Sequence, residues 1–287
     1  MISGTGDPRR QVLPHRPAGR RGVLDGLPLP GGKRVAIIQS NYVPWKGYFD
    51  IVNLVDEFVI YDSVQYTRRD WRNRNRIKTP QGLTWMTIPV EVKGNYRQRI
   101  NETRVSDPRW AHRHLRTLRH NYTHAPFFDE HHLWLKELYL GSDDVLLSAI
   151  NERFIRGICE LLGITTRISL SPAEELGNEK TQRLVQLCER AGATDYVSGP
   201  AARGYLEEQR FTRAGIAVTY MDYSGYPEYP QLFPPFKHEV SILDVILNTG
   251  PHARRYMKTF PESVPSMGRT EHVRRCRGLE PPWGTST

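Results

Sequence analysis

Two short apolar segments on either side of residue 48 are joined by an amphipathic one, and this order predicts a β-α-β unit. VAIIQ (35–39) and EFVIYD (57–62) are β-branched or aromatic runs with the length of strands buried on both faces. Between them, Phe49, Val52 and Val55 recur every three positions, as on a helix that covers a sheet. Two strands connected in this way are expected to pair in parallel through a right-handed crossover.

The next segment has the pattern of a β-hairpin. RNRNRIK (72–78) and LTWMTIPV (83–90) are separated by the turn TPQG (79–82). Pro80 supplies the fixed φ that suits the second position of a turn, and Gly82 relaxes its exit. The hairpin is therefore an insertion after the first β-α-β unit.

The remainder of the chain alternates helical and strand patterns. Its predicted fold is α/β, with a mainly parallel sheet from βαβ units, a β-hairpin insertion and a helical segment near 108–162. A Ser241-to-Asp244 capping box opens the last helix, which Gly250 ends. The further expected helices cover 108–140 (broken at Ala125-Pro126), 143–162, 179–191 and 201–213, and the further strands cover 195–200 and 216–222.

Composition separates a folded domain from two tails. Residues 1–33 form an Arg/Pro/Gly-rich tail without periodicity, and 259–287 resemble it, so we expect both to be disordered and 34–258 to be the folded domain. The formal net charge is +9, yet residues 1–34 hold seven basic against two acidic side chains. Much of the positive charge therefore belongs to a tail, which weakens the case for a nucleic-acid-binding domain.

The three cysteines indicate no disulfide framework. Cys159 and Cys188 lie in apolar helical patterns, where buried structural thiols are expected, and a reducing compartment fits this usage. The N-terminal region lacks the apolar stretch of a secretory signal, and no apolar run approaches the length of a membrane span. We predict a cytoplasmic protein; the sequence does not indicate its oligomeric state.

The turn after the first strand, QSNYVPWKGYFD, is a candidate binding loop. A loop between a strand and its covering helix directs its side chains and the free N–H groups of the helix at one crevice. Amides, a cation and flat aromatic rings occur together there, and Gly47 permits a close backbone approach. The alternative is a structural turn shaped by Pro44. The candidate substrate-binding residues are Gln39, Asn41, Tyr42, Trp45 and Lys46.

Asp62 follows the second strand and is a candidate catalytic base or ligand for an amine, a ribose or a magnesium ion. The alternative is an aspartate that caps a helix or closes an Asx-turn. Gln65 and Tyr66 continue the same edge of the sheet and are further substrate-binding candidates.

The basic strand 71–78 is the sharpest local signal. Side chains alternate in an extended chain, so Arg72, Arg74, Arg76 and Lys78 share one face, roughly 6.6 Å apart. Cations in a row repel one another unless anions lie among them, although a solvated edge strand would also carry charges. Trp71, Asn73, Asn75 and Ile77 occupy the other face, and the sequence leaves open which face lines the site. The anion-binding candidates are Arg69, Arg72, Asn73, Arg74, Asn75 and Lys78.

Two histidines are candidate catalytic groups. His120 and His124 have the i,i+4 spacing of zinc ligands, but no HExxH motif or third ligand accompanies them, so we predict no metal site and consider His120 as a base. His238 beside Glu239 follows an aromatic, proline-rich loop (223–244) that could act as a lid, and is a second candidate. The alternative is a loop histidine near a helix cap. No Walker A, GxGxxG or GxSxG motif is present, so no cofactor is assigned.

Six long segments resemble the WbqC-like protein family, over roughly residues 35–257. They are IIQSNYVPWKGYFD, YDSVQYTRRDWRNRNRIKTPQG, TWMTIPV, HNYTHAPFF, DYVSGPAARGYL and YPQLFPPFKHEVSILDVILNTG. Members of this family occur with O-antigen, other polysaccharide and secondary-metabolite pathways, and a glycyl (aminoacyl) transferase role has been suggested for it. Many members have a histidine before the glutamine of the first turn. This chain has Ile38 there, so the resemblance supplies no catalytic histidine at that position.

The resemblance implies an enzyme that transfers an aminoacyl or other acyl group from an anionic, phosphate- or nucleotide-linked donor to a sugar or secondary-metabolite intermediate. The arginines would hold the anion, the amides would orient the substrate, and Asp62 or His238 would take a proton. Two alternatives stay open. One is a nucleic-acid-binding protein that stacks bases on Trp71, Tyr66 and Trp85, and the other is a non-catalytic pathway protein.

Overall fold

The computed structural model describes residues 24–25, 31–172 and 179–260, which form an α/β fold. The strands are β1 (Leu24–Asp25), β2 (Arg34–Ile38), β3 (Glu57–Ile60), β4 (Arg74–Thr79), β5 (Gly82–Thr87), β6 (Arg167–Leu170), β7 (Asp195–Ser198) and β8 (Ala217–Met221). The α-helices are α1 (Lys46–Leu54), α2 (Trp110–Tyr122), α3 (Phe128–Leu140), α4 (Leu147–Leu161), α5 (Lys180–Arg190), α6 (Glu208–Arg213) and α7 (Ile242–Thr249).

Six strands form one sheet in the order β1-β8-β7-β2-β3-β6, and β4 pairs with β5 as a separate antiparallel hairpin. All pairings within the larger sheet are parallel except that of β1 with β8. The predicted parallel sheet and hairpin insertion are thus confirmed.

Helices cover both faces of the sheet because alternate side chains of a strand point to opposite sides. Ala36 of β2 belongs to a large core cluster that includes Phe49 and Val52 of α1. Val35 and Ile37 belong to a second cluster, with residues of α5 and α6. Burial on both faces explains why β2 and β3 are continuous apolar runs.

Two features differ from the sequence-based expectation. Strand β6 was not predicted, because the segment Arg167–Leu170 is short and only half-buried at the edge of the sheet. The single helix expected over 201–213 is a 3-10 turn (Pro200–Gly204) followed by the six-residue α6. The predicted tails lie almost wholly outside the described residues: of 1–30 only strand β1 is described, and 261–287 are not.

The C-terminal end of the described chain is bound to α1. Asp50 is fully buried and accepts hydrogen bonds from the backbone N–H groups of Lys258 and Thr259 and from the Thr259 hydroxyl. These contacts attach the last described residues to the helix that covers β2.

The buried thiols are confirmed where the chain is described. Cys159 and Cys188 are both buried and free, and burial raises the pKa of the Cys159 thiol to about 12. Cys276 lies outside the described residues. No helix among those described is long and apolar enough to cross a bilayer.

Helix α7 connects the hairpin to the loop after β2. The N–H of Ser241 donates to the Arg76 carbonyl at 2.8 Å, and the N–H of Ile242 donates to the Pro44 carbonyl at 2.9 Å. The Ser241 hydroxyl caps α7 by accepting from the Leu243 N–H, as its sequence predicted. These bonds bring three distant segments to one place beyond the carboxyl end of β2.

Candidate functional site

A cavity of about 300 Å³ lies where these segments meet. Its walls come from the loop after β2, from the start of the hairpin and from the loop that precedes α7. The lining residues are Asn41, Pro44, Trp45, Trp71, Asn75, Arg76, His238 and Glu239. Ligands of open α/β sheets bind beyond the carboxyl ends of the strands, which is the position of this cavity relative to β2.

Trp45 forms an aromatic wall of the cavity. Its ring meets those of Tyr223 and Tyr226 edge-on, with centroids 5.0 and 5.5 Å away. Gly47 permits this position, because a Cβ at residue 47 would lie only 2.4 Å from the Trp45 ring. The glycine is therefore required for close approach of a side chain rather than for an unusual φ.

Asn41 is held in place by Arg72. One terminal nitrogen of Arg72 donates to Asn41 Oδ1 and, at 3.4 Å, to the Ser40 carbonyl. Arg72 also forms an ion pair with Asp70 at 3.6 Å, and burial lowers the pKa of its guanidinium. Since Arg72 is committed to these partners, its role is to orient the amide that faces the cavity.

The asparagines of the basic strand serve mainly the backbone. Asn75 is 3% exposed and donates to the carbonyls of Tyr42 at 3.2 Å and Val43 at 2.8 Å. Val43 has a φ of 36°, so Asn75 stabilises a turn that a β-branched residue rarely adopts. Asn73 donates to the Ile88 carbonyl at 2.8 Å. Hydrogen-bonding needs explain why these weak strand formers occur here.

Arg76 brings an unneutralised cation to the cavity. Its guanidinium lies over the rings of Trp71 and Trp85, with centroid distances of 5.5 and 5.3 Å. No carboxylate in the described ranges lies within salt-bridge distance of it, and its Nε is buried without a hydrogen-bond partner. This charge is available to an anion that enters the cavity.

His238 is the only histidine that lines the cavity, within the part of the chain that the structure describes. Its Nδ1 is buried without a hydrogen-bond partner. The Phe236 ring packs edge-on against the imidazole, with the ring centroids 4.7 Å apart. Burial, and then the positive charge of Lys46, lower the pKa of this imidazole, against the opposing charges of Glu228 and Glu239. A neutral imidazole with a free nitrogen can accept a proton.

Lys46 is a buried cation close to the cavity. Its ammonium donates to the Pro227 carbonyl at 3.0 Å and lies 4.9 and 5.3 Å from the ring centroids of Tyr226 and Tyr229. Those two tyrosines in turn donate to the buried carboxylates of Asp50 and Asp244. Burial lowers the pKa of Lys46 to about 8, although both carboxylates act in the other direction.

This pKa predicts a pH-dependent contribution to stability. Between about 8 and the ordinary 10.5 the unfolded chain binds more protons at residue 46 than the folded chain, so stability rises with pH. Relative to a Lys46→Met variant, the native protein should gain up to roughly 1.4 kcal/mol of unfolding free energy per pH unit. Urea denaturation of both proteins between about pH 8 and pH 9.5 measures the difference. The matched control is Lys136→Met, at an exposed position. If the difference in unfolding free energy between the native protein and Lys46→Met did not change with pH, the prediction would be contradicted.

Asp62 lies inside the protein rather than in the cavity wall. It is 3% exposed and accepts hydrogen bonds from the N–H and hydroxyl of Ser40, at 2.8 and 2.6 Å, and from the Ser148 hydroxyl at 2.5 Å. These bonds join the ends of β2 and β3 to α4. The geometry thus supports a positioning role for Asp62. Its role as a base stays a prediction, and Asp62 is not among the residues that line the cavity.

Tyr42 belongs to a buried polar network. Its hydroxyl lies 2.8 Å from both His114 Nδ1 and the Tyr139 hydroxyl, and His114 Nε2 lies 3.2 Å from the Thr87 carbonyl. Burial lowers the pKa of His114 to about 4, so this imidazole is neutral near pH 7. The network connects the loop after β2 with α2 and α3.

The other sequence candidates lie outside the cavity wall. Lys78 is buried and donates to Gln231 at 2.9 Å and to the Pro235 carbonyl, while Gln65 donates to the Tyr96 carbonyl at 2.9 Å. His120 is exposed on α2. Four more candidates do not line the cavity. Gln39 is half-buried and Tyr66 is buried. The Arg74 guanidinium donates to the Arg69 carbonyl.

The structure thus brings together four of the predicted site residues: Asn41, Trp45, Asn75 and His238. The candidate set omitted Arg76, Trp71, Pro44 and Glu239. Arg76 shares the alternating face of Arg72 and Arg74, so that pattern contained the signal for it. Within the described ranges, no group of three or more His, Cys, Asp or Glu side chains is placed to hold a metal ion.

Comparison with known proteins gives one family. The model of the WbqC-like protein family matches residues 39–256. Over 226 residues the chain is 51% identical to the uncharacterized protein Rv1507c of Mycobacterium tuberculosis (strain ATCC 25618 / H37Rv), an alignment covering 79% of this chain and 98% of that protein. No solved structure matches. The resemblance found in the sequence motifs is therefore confirmed.

Proposed function

The chain belongs to the WbqC-like protein family, and on that premise we propose that its cavity transfers an aminoacyl (glycyl) or other acyl group. The donor is an activated acyl compound with an anionic phosphate- or nucleotide-linked leaving group. The acceptor is an amine or hydroxyl of a sugar or secondary-metabolite intermediate. Such donors are made in the cytoplasm, which we propose as the location, with residues 34–258 as the folded domain.

One observation carries this proposal. The cavity is lined by Arg76, whose guanidinium forms no ion pair in the described part of the chain, and by His238, whose Nδ1 has no hydrogen-bond partner. A cation that binds an anion and a neutral base that removes a proton are the two groups that acyl transfer requires. Trp45 and Pro44 supply apolar walls, which exclude water from the reacting groups.

In the proposed reaction, the imidazole of His238 accepts a proton as the amine or hydroxyl of the acceptor attacks the acyl carbonyl carbon. The carbonyl electron pair moves to oxygen, and the Arg76 guanidinium stabilises this oxyanion together with the amide of Asn41. The electrons return to form the carbonyl again, and the bond to the leaving group breaks. The phosphate or nucleotide departs with that electron pair, and His238 passes its proton to solvent.

The non-catalytic alternative makes a different prediction for these residues. A pathway protein without transferase activity would need no base in the cavity, and removing His238 would leave product formation intact. The buried and unpartnered state of Nδ1 favours the enzyme, because such a nitrogen costs free energy unless a ligand satisfies it.

Thermal unfolding in the presence of anionic compounds tests the proposal. A ligand present at about 100 times its Kd stabilises the folded state by roughly 2.7 kcal/mol, which raises the Tm by several degrees. We expect this shift with at least one compound among pyrophosphate, AMP, nucleotide-sugars and a non-hydrolysable aminoacyl adenylate analogue. Arg76→Met should abolish the shift because it removes the cation from the cavity.

The matched control is Arg116→Met, which removes the same charge from an exposed position on α2. This variant should keep the full shift. An equal decrease of the ligand-induced Tm shift in the two variants would show that overall charge rather than the cavity binds the anion. If no compound raised the Tm of the native protein, an anionic donor would be rejected.

A further inference from the structure

An exposed aromatic and cationic surface adjoins the cavity. It consists of Trp71, Arg74, Arg76 and Trp85, and we refer to these four residues as the platform. The two indole rings have centroids 5.2 Å apart, and the Arg74 guanidinium lies 4.1 Å from the Trp85 ring centroid. Arg76 and Trp85 are cross-strand partners in the hairpin, so the backbone register fixes this arrangement.

The platform combines two exposed indole rings with two guanidinium groups, of which that of Arg74 donates to the Arg69 carbonyl and interacts electrostatically with Asp70. Trp71 is 39% exposed and Trp85 is 42% exposed. Arg74 and Arg76 are neighbours on the same face, and neither forms an ion pair with a carboxylate in the described part of the chain. Both have a buried Nε without a hydrogen-bond partner. Two adjacent cations repel one another, so an anionic ligand would relieve a cost that the free protein bears.

The platform and the cavity are continuous. Trp71 and Arg76 belong to the platform and also line the cavity, whereas Arg74 and Trp85 lie outside the cavity wall. A ligand of two parts can therefore place one part in the cavity and the other over the indoles. The guanidinium of Arg76 stands at the junction, where the linking group of such a ligand would pass.

We infer that the platform binds the nucleobase of a nucleotide-linked donor, with the donor's phosphate at Arg74 and Arg76. This inference rests on the proposed function and narrows its donor class. A base presents a flat π-face that stacks on indole and guanidinium planes, and a phosphate accepts charge-assisted hydrogen bonds from arginine. A donor with phosphate alone would leave the exposed indoles without a partner.

The other cations of the basic strand argue for one nucleotide rather than a nucleic-acid strand. Arg72 is committed to Asn41 and Asp70, and Lys78 is buried against Gln231 and Pro235. Two cations thus remain at the platform for phosphate. Binding of single strands without sequence preference uses a longer basic groove that follows the backbone.

Titration with AMP and with ribose 5-phosphate, which has the phosphate but no base, tests the inference. Calorimetry gives both affinities, and quenching of tryptophan fluorescence reports stacking. We expect AMP to bind at least about 10-fold more tightly, given the usual strength of base–indole stacking. Trp85→Leu should weaken AMP binding by about the same factor and leave the affinity for ribose 5-phosphate within about threefold, because in the proposal Trp85 stacks on the base while Arg74 and Arg76 bind the phosphate.

Three further variants keep the test decisive. Tyr205→Leu removes an aromatic ring that is 57% exposed on another surface and should change neither affinity. Arg74→Met should weaken both ligands, since it removes a phosphate contact. Trp85→Phe keeps a smaller ring and should bind AMP with intermediate affinity, which provides a result if Trp85→Leu does not fold.

Equal affinity of the native protein for AMP and ribose 5-phosphate would overturn the inference. So would tighter binding of a single-stranded oligonucleotide than of AMP, with an affinity that falls steeply between about 50 and 200 mM salt, because that behaviour indicates a nucleic-acid-binding surface. Base-dependent AMP binding that is lost in Trp85→Leu supports the platform even if an aminoacyl adenylate transfers no acyl group. Absence of acyl transfer from the aminoacyl adenylate would reject the proposed reaction but not the nucleotide-binding platform.

Discussion

Asp244→Ala is expected to lower the free energy of unfolding by about 3–5 kcal/mol, which is the range for removing one member of a buried charged network. Asp244 is fully buried and accepts hydrogen bonds from the hydroxyls of Tyr122 at 2.6 Å and Tyr229 at 2.5 Å, and from Gln231 at 2.8 Å. Alanine would leave the hydroxyls of Tyr122 and Tyr229 buried without their acceptor, whereas Gln231 keeps the Lys237 carbonyl at 3.1 Å.

The Asp244→Ala substitution should also weaken the contacts that hold the cavity wall in place. Tyr229 lies under the ammonium of Lys46, and Asp244 belongs to α7, whose first residues bind the Pro44 and Arg76 carbonyls. Urea denaturation gives the free energy of unfolding. Asp244→Asn, which keeps one acceptor oxygen, should lose less, and Asp143→Ala at an exposed position should stay within about 0.5 kcal/mol of the native value. A loss below about 1 kcal/mol for Asp244→Ala would show that the network relaxes around the gap.

His238→Gln should lower kcat for acyl transfer by roughly 10²–10⁴-fold, the usual contribution of a positioned general base. Glutamine has a similar size and retains hydrogen bonding, but it cannot accept a proton at neutral pH. Binding of the anionic donor should change little, because in the proposed reaction Arg76 rather than His238 holds the anion. Single-turnover measurements with saturating donor separate the chemical step from binding.

The pH dependence distinguishes a base from a structural histidine. The pKa of His238 lies below its ordinary 6.5, so the rate should fall in acid as the imidazole gains its proton. Lys46→Met removes a positive charge that lowers this pKa and should shift the acidic limb to higher pH. His120→Gln, at an exposed position on α2, serves as the control and should leave the rate unchanged. An effect of His120→Gln as large as that of His238→Gln would reverse the assignment.

The fold was predictable because its strongest elements carry their own periodicity. The apolar runs of β2 and β3, the turn at Pro80 and Gly82, and the Ser241 cap all led to the right element. The missed strand β6 has no such pattern, since a half-buried edge strand of four residues alternates too briefly to be recognised. Its position depends on β3, with which it pairs over the residues Glu57 to Ile60.

The site was only partly predictable, because sequence spacing shows which side chains share a face but not what they contact. Asp62 has the position of a ligand-binding carboxylate, yet the hydroxyls of Ser40 and Ser148 occupy it. Ser148 lies 86 positions further along the chain, and no local pattern announces such a partner. His238 was recognisable as a candidate by its type and its loop, whereas its unpartnered Nδ1 became visible only in three dimensions.

The attachment of α7 to the hairpin and to Pro44 has a consequence for synthesis of the protein. The residues that supply most of the cavity wall leave the ribosome early, but their last supports, Ser241 and Ile242, lie about 165 positions after Arg76. At ordinary rates of translation, the ribosome needs about 10 to 30 s to make this stretch. The nascent chain therefore displays the basic hairpin for that time before the pocket closes, and any ligand-assisted folding can begin only when nearly the whole domain has emerged.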